Sequence, residues 1–265
     1  MRSLVILLLF LVGLAGDRAQ AAVIIGSPSF SYFDDFTGFD GDADPANWVT
    51  TDVSNTSGWR GTGTGSSTTG GKYSFGDTGS GATFDGSLGF LPSGDRSINA
   101  DILFQNATGN LITQFTVSYD AEHWRSTLDG RNNGWAVSYS IDGGTFAALN
   151  DLAYVAANTN STGINPDDGP WETVSLSQTV TGLSIGNGSE IVIRFFGDNG
   201  SGSDARQGVA IDNFSFHSTA VPEPGSALIL LSLVCTPAMR WLRTSKWISP
   251  NPVRHSPCCS AVPTR

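Results

Sequence analysis

Cysteine is missing from most of this chain. The first of its three cysteines is Cys235, and the other two are the adjacent Cys258 and Cys259. The long segment before residue 235 therefore contains no disulfide. A folded domain in that segment must be held together by core packing, with a bound metal as the other available support.

Basic residues are scarce between residues 22 and 220. This segment has seven Lys and Arg against 22 Asp and Glu, a formal net charge of −15. So acidic a surface repels a phosphate backbone, which excludes nucleic acid as a partner. After Pro224 the balance reverses, with five basic residues and no acidic one. That asymmetry is expected if the tail stays on the cytoplasmic side of a membrane.

The same segment also lacks the 3.6-residue apolar period of a helix over any stretch of ten or more residues. Apolar and polar residues instead alternate at residues 115–119 and 135–141, as in half-exposed strands. Asp142, Gly143 and Gly144 follow the second stretch and predict a hairpin turn.

Two later strands depart from simple alternation. Residues 190–196 are apolar on nearly both sides, which indicates a central strand covered on both faces. In the last strand Val209 and Ile211 differ in parity from the aromatic residues that follow at 214 and 216. A β-bulge near Asp212 and Asn213 would reconcile the two parities.

Further strands are predicted near residues 23–36, 48–53, 72–75, 98–104 and 172–180. About nine or ten short strands with Gly-rich turns, and no blade-length repeat, favour a two-sheet sandwich over a propeller. We therefore predict an all-β domain at residues 22–220, a two-sheet antiparallel sandwich of jelly-roll type.

The first 21 residues have the organisation of a secretory signal peptide. Arg2 precedes an apolar run from Leu4 to Leu14, and an Ala-x-Ala cleavage site ends at Ala21. We therefore expect the chain to be exported.

Three elements follow one another near the C-terminus: a Pro-Glu-Pro segment, an apolar run and a basic stop. The run, from Ala227 to Met239, is about 13 residues, whereas a membrane-spanning helix needs roughly 20. This order resembles the PEP-CTERM sorting signal of bacteria, over residues 221–243. The motif residues are Val221, Pro222, Glu223, Pro224, Arg240 and Arg243.

The resemblance implies an exosortase and the secretion machinery as partners, and a short or transient membrane anchor before processing. It implies a final location at the cell surface or in the extracellular matrix. Residues 244–265 extend beyond the point where such a signal ends, and we expect them to form a disordered basic tail.

The predicted domain has a resemblance of its own. It is carried by residues 39–48, residues 70–75, the strand from Val117 into Glu122-His123-Trp124, and residues 210–214. Together these resemble the concanavalin-A-like or jelly-roll modules of secreted bacterial proteins. The resemblance implies a β-sandwich accessory module and carries no catalytic residues.

Five aspartates are candidates for structural Ca²⁺. Asp40, Asp42 and Asp44 offer hard oxygen ligands at alternating positions, without the Gly and Glu positions of an EF-hand loop. Solvated turn carboxylates are the alternative for this run. Asp35 and Asp212 resemble a pair in sugar-binding jelly rolls, in which Ca²⁺ ties an early acidic residue to one near the last strand.

Two tryptophans are candidates for stacking on sugar rings. Trp59 lies in a Gly-rich stretch and Trp171 follows Pro170, positions where loops present side chains. We predict both rings to be exposed and roughly coplanar, with packing at the edge of the core as the alternative.

Three functional hypotheses follow from these observations. The first is an exported, non-enzymatic surface or matrix protein sorted by its C-terminal signal. The second is a module that binds matrix polysaccharide through Trp59 and Trp171, with Ca²⁺ as a structural ion. The third is a secreted hydrolase that uses two carboxylates, and it requires a groove holding them about 5 to 9 Å apart.

The sorting signal gives a direct prediction. Replacing Glu223 with Ala, or deleting residues 222–224, should leave the protein unprocessed and retained in the membrane. Fractionation and immunoblotting of the producing bacterium measure this outcome. Equal surface release of the variant and the wild type would remove the sorting hypothesis.

Overall fold

The computed structural model describes residues 20–76, 84–92, 96–127, 133–157, 163–165, 169–200 and 206–222. The chain divides into two units, Met1–Val221 and Pro222–Arg265. All described residues except Pro222 therefore belong to the first unit. The predicted signal peptide lies outside the described residues apart from positions 20 and 21, as do Glu223, Pro224, Arg240, Arg243 and the predicted tail.

Seven strands form the first sheet, with strands numbered along the chain. Its continuous order is β1 (Val23–Ile25), β7 (Ser97–Asn106), β13 (Glu190–Gly197), β9 (Gly134–Ile141) and β10 (Ala147–Ala148). Two more strands join it, β3 (Trp48–Ser54) beside β7 and β11 (Tyr154–Val155) beside β9.

Seven other strands form the second sheet. Its order is β12 (Glu172–Ile185), β8 (Leu111–Arg125), β14 (Gly208–Val221), β6 (Gly86–Leu91), β5 (Gly71–Gly76) and β4 (Trp59–Gly63). The short strand β2 (Ser29–Asp34) pairs with the second half of β14. All pairings are antiparallel except β1 with β7 and β4 with β5.

The two sheets pack face to face, and this confirms the predicted all-β sandwich. Phe104 of the first sheet stacks on Phe216 of the second with ring centroids 4.0 Å apart. Phe195 meets Tyr119 edge to face at 4.9 Å. In the described part of the chain the single helical segment is a 3₁₀ turn at Asn150–Leu152. No helix there is long and apolar enough to cross a membrane.

Strand β13 is central in its sheet, between β7 and β9, as predicted. The prediction that it is covered on both faces is wrong. Its inward residues are buried, whereas Val192, Arg194 and Phe196 on the outer face are only half-buried. Arg194 donates two hydrogen bonds, of 2.8 Å and 2.7 Å, to the carboxylate of Asp101, which keeps its charge at the surface.

The predicted bulge in β14 is present. Asp212 pairs with Asp120 of β8, but the next paired residue of β14 is Ser215, opposite Ser118. Asn213 has a φ of 48°. Inward residues therefore change parity, from Val209 and Ile211 before the bulge to the two phenylalanines after it.

The hairpin predicted after β9 is also confirmed. Asp142 and Gly143 have φ values of 50° and 67°. The Gly144 N–H donates to the Ile141 carbonyl at 2.9 Å, which closes a two-residue turn into β10.

Fourteen strands are present in the described ranges, more than the nine or ten expected. Strands β4 and β6 were not predicted from the sequence. Their sequences, WRGTG and GSLGFL, are short and glycine-rich and show no clear alternation. They are strands because they lie beside β5, which supplies their hydrogen bonds.

A second hydrophobic cluster covers part of the outer face of the second sheet. It consists of Tyr73, Phe75, Leu91, Trp124 and Ala210. Tyr73 stacks on Phe75 with centroids 5.2 Å apart, and Phe75 stacks on Trp124 at 6.1 Å. The cluster places aromatic rings on a face that would otherwise be polar.

Gly89 of β6 makes room for this cluster. A Cβ atom at position 89 would lie 2.3 Å from Cδ2 of Phe75, whose ring is buried and stacks on Tyr73 and Trp124. Gly89→Ala should therefore lower the free energy of unfolding by about 1 to 3 kcal/mol. Chemical denaturation measures this loss. The matched control is Gly26→Ala, since a Cβ there meets nothing within 4 Å; an equal loss in both variants would contradict the packing argument.

Candidate functional site

An acidic cleft opens on the outer face of the second sheet, beside the second hydrophobic cluster. Its volume is about 180 Å³. It is lined by Phe75, Asp85, Gly86, Ser87, Glu122, Trp124, Gly169, Pro170 and Asp212. Three of these residues are carboxylic acids and none is basic, so the cleft disfavours anionic ligands when its carboxyls are ionised.

Strand register brings the polar residues of the cleft together. Glu122 of β8 pairs with Ala210 of β14, and Asp120 pairs with Asp212. Paired residues point to the same face of a sheet, so Asp120, Glu122 and Asp212 all face outward. Asp85 joins them from the residue that precedes β6.

Aromatic rings form the apolar side of the cleft. Phe75 and Trp124 both line it, and both are almost completely buried. The Trp124 Nε1–H donates to Oε2 of Glu122 at 2.6 Å. The indole is therefore fixed in place by both stacking and a hydrogen bond.

Glu122 is a buried carboxyl with unusual electrostatics. Burial raises its pKa, and the hydrogen bonds from Trp124 and Ser87 offset part of that effect. Nearby carboxylates act in the same direction as burial.

Asp212 has a buried carboxyl oxygen that accepts no hydrogen bond. It is 8% exposed, its Oδ2 accepts a hydrogen bond from Asn213 Nδ2 at 3.0 Å, and its Oδ1 has no partner. Burial, followed by the charge of Glu122, raises the pKa of Asp212 to about 7. The cleft thus holds a carboxyl oxygen with unused capacity to accept a hydrogen bond.

His123 lies beneath the cleft and faces the core. It is fully buried, and its Nε2 lies 2.8 Å from both the Arg125 carbonyl and Oε1 of Gln207. Because both partners are acceptors, Nε2 carries the proton. Burial lowers the pKa of His123, so it is neutral and serves to tie strand β8 to Gln207.

The two predicted stacking tryptophans lie at opposite edges of the second sheet. Trp59 is on β4 instead of in a loop, and its ring meets Phe39 edge to face at 5.2 Å. Trp171 immediately precedes β12, and its Nε1–H donates to the Gly163 carbonyl at 3.0 Å. Five strand-to-strand steps separate β4 from β12, or about 24 Å at 4.8 Å per step. Both residues are half-buried, and they do not form one continuous platform.

The five predicted calcium ligands are dispersed. Asp35 and Asp40 accept backbone N–H bonds within their own turns. Asp44 accepts hydrogen bonds from Thr50 and from Trp59 Nε1, and Asp42 is exposed. Asp212 instead lies in the cleft beside Glu122. Among the described residues, no group of three or more His, Cys, Asp or Glu side chains is placed to hold a metal ion, and calcium binding by these aspartates stays a prediction.

Two residues of the predicted sorting motif are described. Val221 ends β14 opposite Leu111, and Pro222 follows it outside the strand. The other four motif residues lie outside the described ranges.

Glu122, Trp124 and Phe75 were not predicted from the sequence as site residues. A usable signal was present, because the alternation of β8 continues to residue 124 and gives Asp120, Glu122 and Trp124 the same parity. The contribution of Phe75 has no local signal, since β5 becomes a neighbour of β8 only through β6 and β14.

The raised pKa of Asp212 predicts a pH-dependent stability. A carboxyl that is harder to ionise when folded destabilises the fold as pH rises from about 4 to about 7, by at most about 1.4 kcal/mol per pH unit. Asp212→Asn removes this term, so the variant should gain unfolding free energy relative to wild type between pH 4 and pH 8. Chemical denaturation at several pH values measures the difference. An equal gain in Asp151→Asn, which removes an exposed carboxylate, would attribute the effect to net charge.

No protein-family model matches the sequence, and no curated protein matches it either. One matching solved structure is TmCBM61 in complex with β-1,4-galactotriose, at 10% identity over 68% of this chain and 94% of that chain, with a TM-score of 0.37. The K2 cleaved adhesin domain of Lys-gingipain matches at 16% identity over 70% and 97% of the two chains, with a TM-score of 0.40. The CBM22-1 xylan-binding domain from Paenibacillus barcinonensis Xyn10C matches at 10% identity over 72% and 94%, with a TM-score of 0.34. Likenesses of this size do not assign a role to the cleft of this chain.

Proposed function

We propose that this chain is a non-catalytic module that binds a neutral polysaccharide in the cleft beside β8 and β14. The observation that carries the proposal is the unpartnered Oδ1 of Asp212, which is buried at the wall of an open cleft. A buried acceptor without a partner costs about 1 to 3 kcal/mol. A ligand hydroxyl that donates to this oxygen recovers that cost.

The charge of the cleft indicates what kind of ligand it accepts. Asp85, Glu122 and Asp212 line it, and none of the described lining residues is basic. Uronate, sulfate and phosphate groups would be repelled, whereas uncharged hydroxyl groups donate hydrogen bonds to carboxylates. A neutral sugar has many such hydroxyl groups.

The aromatic side of the cleft matches the apolar face of a sugar ring. A pyranose ring has an apolar face of C–H groups as well as its hydroxyl rim. Phe75 and Trp124 line the cleft directly beside the acceptors, with 1% and 5% of their surface exposed. A few polar groups set against an apolar wall is the usual composition of a small-molecule site.

Binding without catalysis fits the electrostatics better than hydrolysis does. A glycosidase pair needs one protonated acid and one ionised carboxylate, and therefore two environments that shift the pKa values apart. Here burial raises the pKa of both Glu122 and Asp212, so burial by itself does not assign one as acid and the other as base. Glu122 is also committed to Trp124 through a 2.6 Å hydrogen bond.

The place of action is part of the same proposal. A signal peptide at residues 1–21 and a sorting segment at residues 221–243 would deliver the module to the cell surface or matrix. A surface polysaccharide is a ligand that such a location offers. The acidic charge of residues 22–220 supports a ligand that carries no negative charge of its own.

Affinity electrophoresis in gels that contain β-1,4-galactan, xylan or polygalacturonate tests the proposal. The protein should be retarded by a neutral polysaccharide and unaffected by polygalacturonate. Asp212→Ala should weaken the retardation about tenfold, the equivalent of a lost hydrogen bond to a buried carboxyl. Asp151→Ala, at an exposed carboxylate, should leave it unchanged.

Three results would contradict the proposal. Absence of retardation by either neutral polysaccharide, or equal retardation of Asp212→Ala and wild type, would remove the cleft as the binding site. Release of reducing ends from galactan or xylan by the wild type, with loss of that activity in Glu122→Gln, would replace binding with hydrolysis.

A further inference from the structure

Four neighbouring strands of the second sheet present an outer face of short polar side chains. The strands are β12, β8, β14 and β2, and register aligns their outward residues in three rows. The rows are Thr181, Gln114, Thr219 and Ser29; Thr179, Thr116, His217 and Ser31; and Ser177, Ser118, Ser215 and Phe33. We call this surface the hydroxyl face.

The hydroxyl face is open to solvent. Its residues are exposed or half-buried, and no described segment covers them. Four strands at about 4.8 Å spacing and three rows about 6.8 Å apart give an area of about 14 Å by 14 Å. Nine of these twelve side chains are the short Ser or Thr.

Hydrogen bonds between residues of the same row orient the side chains of the hydroxyl face, and they leave some donors and acceptors unused. Oγ1 of Thr116 and Oγ1 of Thr179 are 2.8 Å apart, and Oγ of Ser31 is 2.9 Å from Nδ1 of His217. Each hydroxyl can both donate and accept, so each keeps capacity for a partner above the sheet. The face therefore offers a regular array of donors and acceptors.

The face is also free of formal charge. No Asp, Glu, Lys or Arg occurs in its three rows, although residues 22–220 carry 22 acidic and seven basic residues. A neutral patch on this acidic domain does not repel acidic partners. It also does not attract charged partners. It matches an uncharged partner rich in hydroxyl groups.

The hydroxyl face leads directly into the cleft. The next position along β8 after Ser118 is outward-facing Asp120, and Glu122 follows at the cleft. Asn213, at the bulge of β14, donates to both Asp120 and Asp212 at 3.0 Å. From Gln114 to Glu122 the outward positions of β8 form one continuous line of about 27 Å.

We propose that the hydroxyl face binds a continuous stretch of polysaccharide. The polysaccharide lies along β8 and β14, and one of its ends occupies the cleft. This inference rests on the proposed function and adds that the ligand is bound as an extended polymer, not as a single terminal sugar. Phe33 is the one large apolar side chain in the three rows, and it is 61% exposed at the β2 edge. It supplies a ring on which a sugar can stack.

A protein partner fits the hydroxyl face less well. Protein interfaces are centred on buried aromatic, Met or Arg anchors, and the three rows contain Phe33 alone among such residues. A second copy of this chain would also bring two acidic bodies together. Self-association through this face is therefore an alternative for the test to detect.

The test compares short and long ligands on the full exported domain, residues 22–220. Isothermal titration with β-1,4-galacto-oligosaccharides and xylo-oligosaccharides of one to six units should show affinity increasing with length. Phe33→Ala should weaken binding of the six-unit ligand about fivefold, and Ser118→Arg should weaken it at least about tenfold by blocking the line of the chain. Both variants should bind the one- and two-unit ligands as the wild type does.

Matched controls come from the outer face of the first sheet. Val53→Ala and Thr51→Arg make the same kinds of change at exposed positions of β3, and neither should alter binding of any ligand. Thermal melting of each variant checks that the fold is retained. An unfolded Ser118→Arg would be replaced by Ser118→Gln, which adds bulk without charge.

The outcomes separate this inference from the proposed function. Failure of the wild type to bind any of the oligosaccharides would overturn both. Binding with the same affinity at every length, or length-dependent binding that Phe33→Ala and Ser118→Arg leave intact, would overturn the hydroxyl face alone. Dimers of the wild type in sedimentation experiments that Ser118→Arg disperses would assign the face to self-association instead.

Discussion

The bulge at Asp212 and Asn213 is the feature on which both the core and the candidate site depend. Strand β14 is paired along both edges, with β8 on one side and β6 and then β2 on the other. The extra residue lets the inward positions change parity in the middle of the strand. Without that change, either the phenylalanines that follow or the aliphatic residues that precede would face solvent.

The same bulge sets the chemistry of the outer face. It leaves Asp212 and Asn213 both pointing outward at consecutive positions, which regular pleating does not allow. Asp212 then lies beside Glu122. Burial raises the pKa of both, and the charge of Glu122 adds to the rise at Asp212. Asn213 joins the cleft to the hydroxyl face by donating to a carboxylate on either side.

The two faces of the second sheet are stabilised in different ways. The inner face packs against the first sheet through stacked and edge-to-face aromatic pairs, which compensates for the absence of disulfides. The outer face carries its own small cluster around Phe75, possible because Gly89 leaves room for the ring. That cluster desolvates the cleft, and a desolvated acceptor binds a hydroxyl more strongly than one in water.

The local pattern of the sequence determined the fold class, most strand positions, the hairpin at Asp142 and the bulge of β14. These follow from alternation and turn chemistry, which act between residues a few positions apart. Strands β4 and β6 were not predictable, because glycine-rich segments become strands only when a neighbour supplies their hydrogen bonds. The candidate site was decided by tertiary structure alone: Phe75 reaches Trp124 across two intervening strands, and Trp59 and Trp171, which look equivalent in sequence, lie at opposite edges of the sheet. Strand order and register fix those distances, and both depend on long-range pairing that no local pattern encodes.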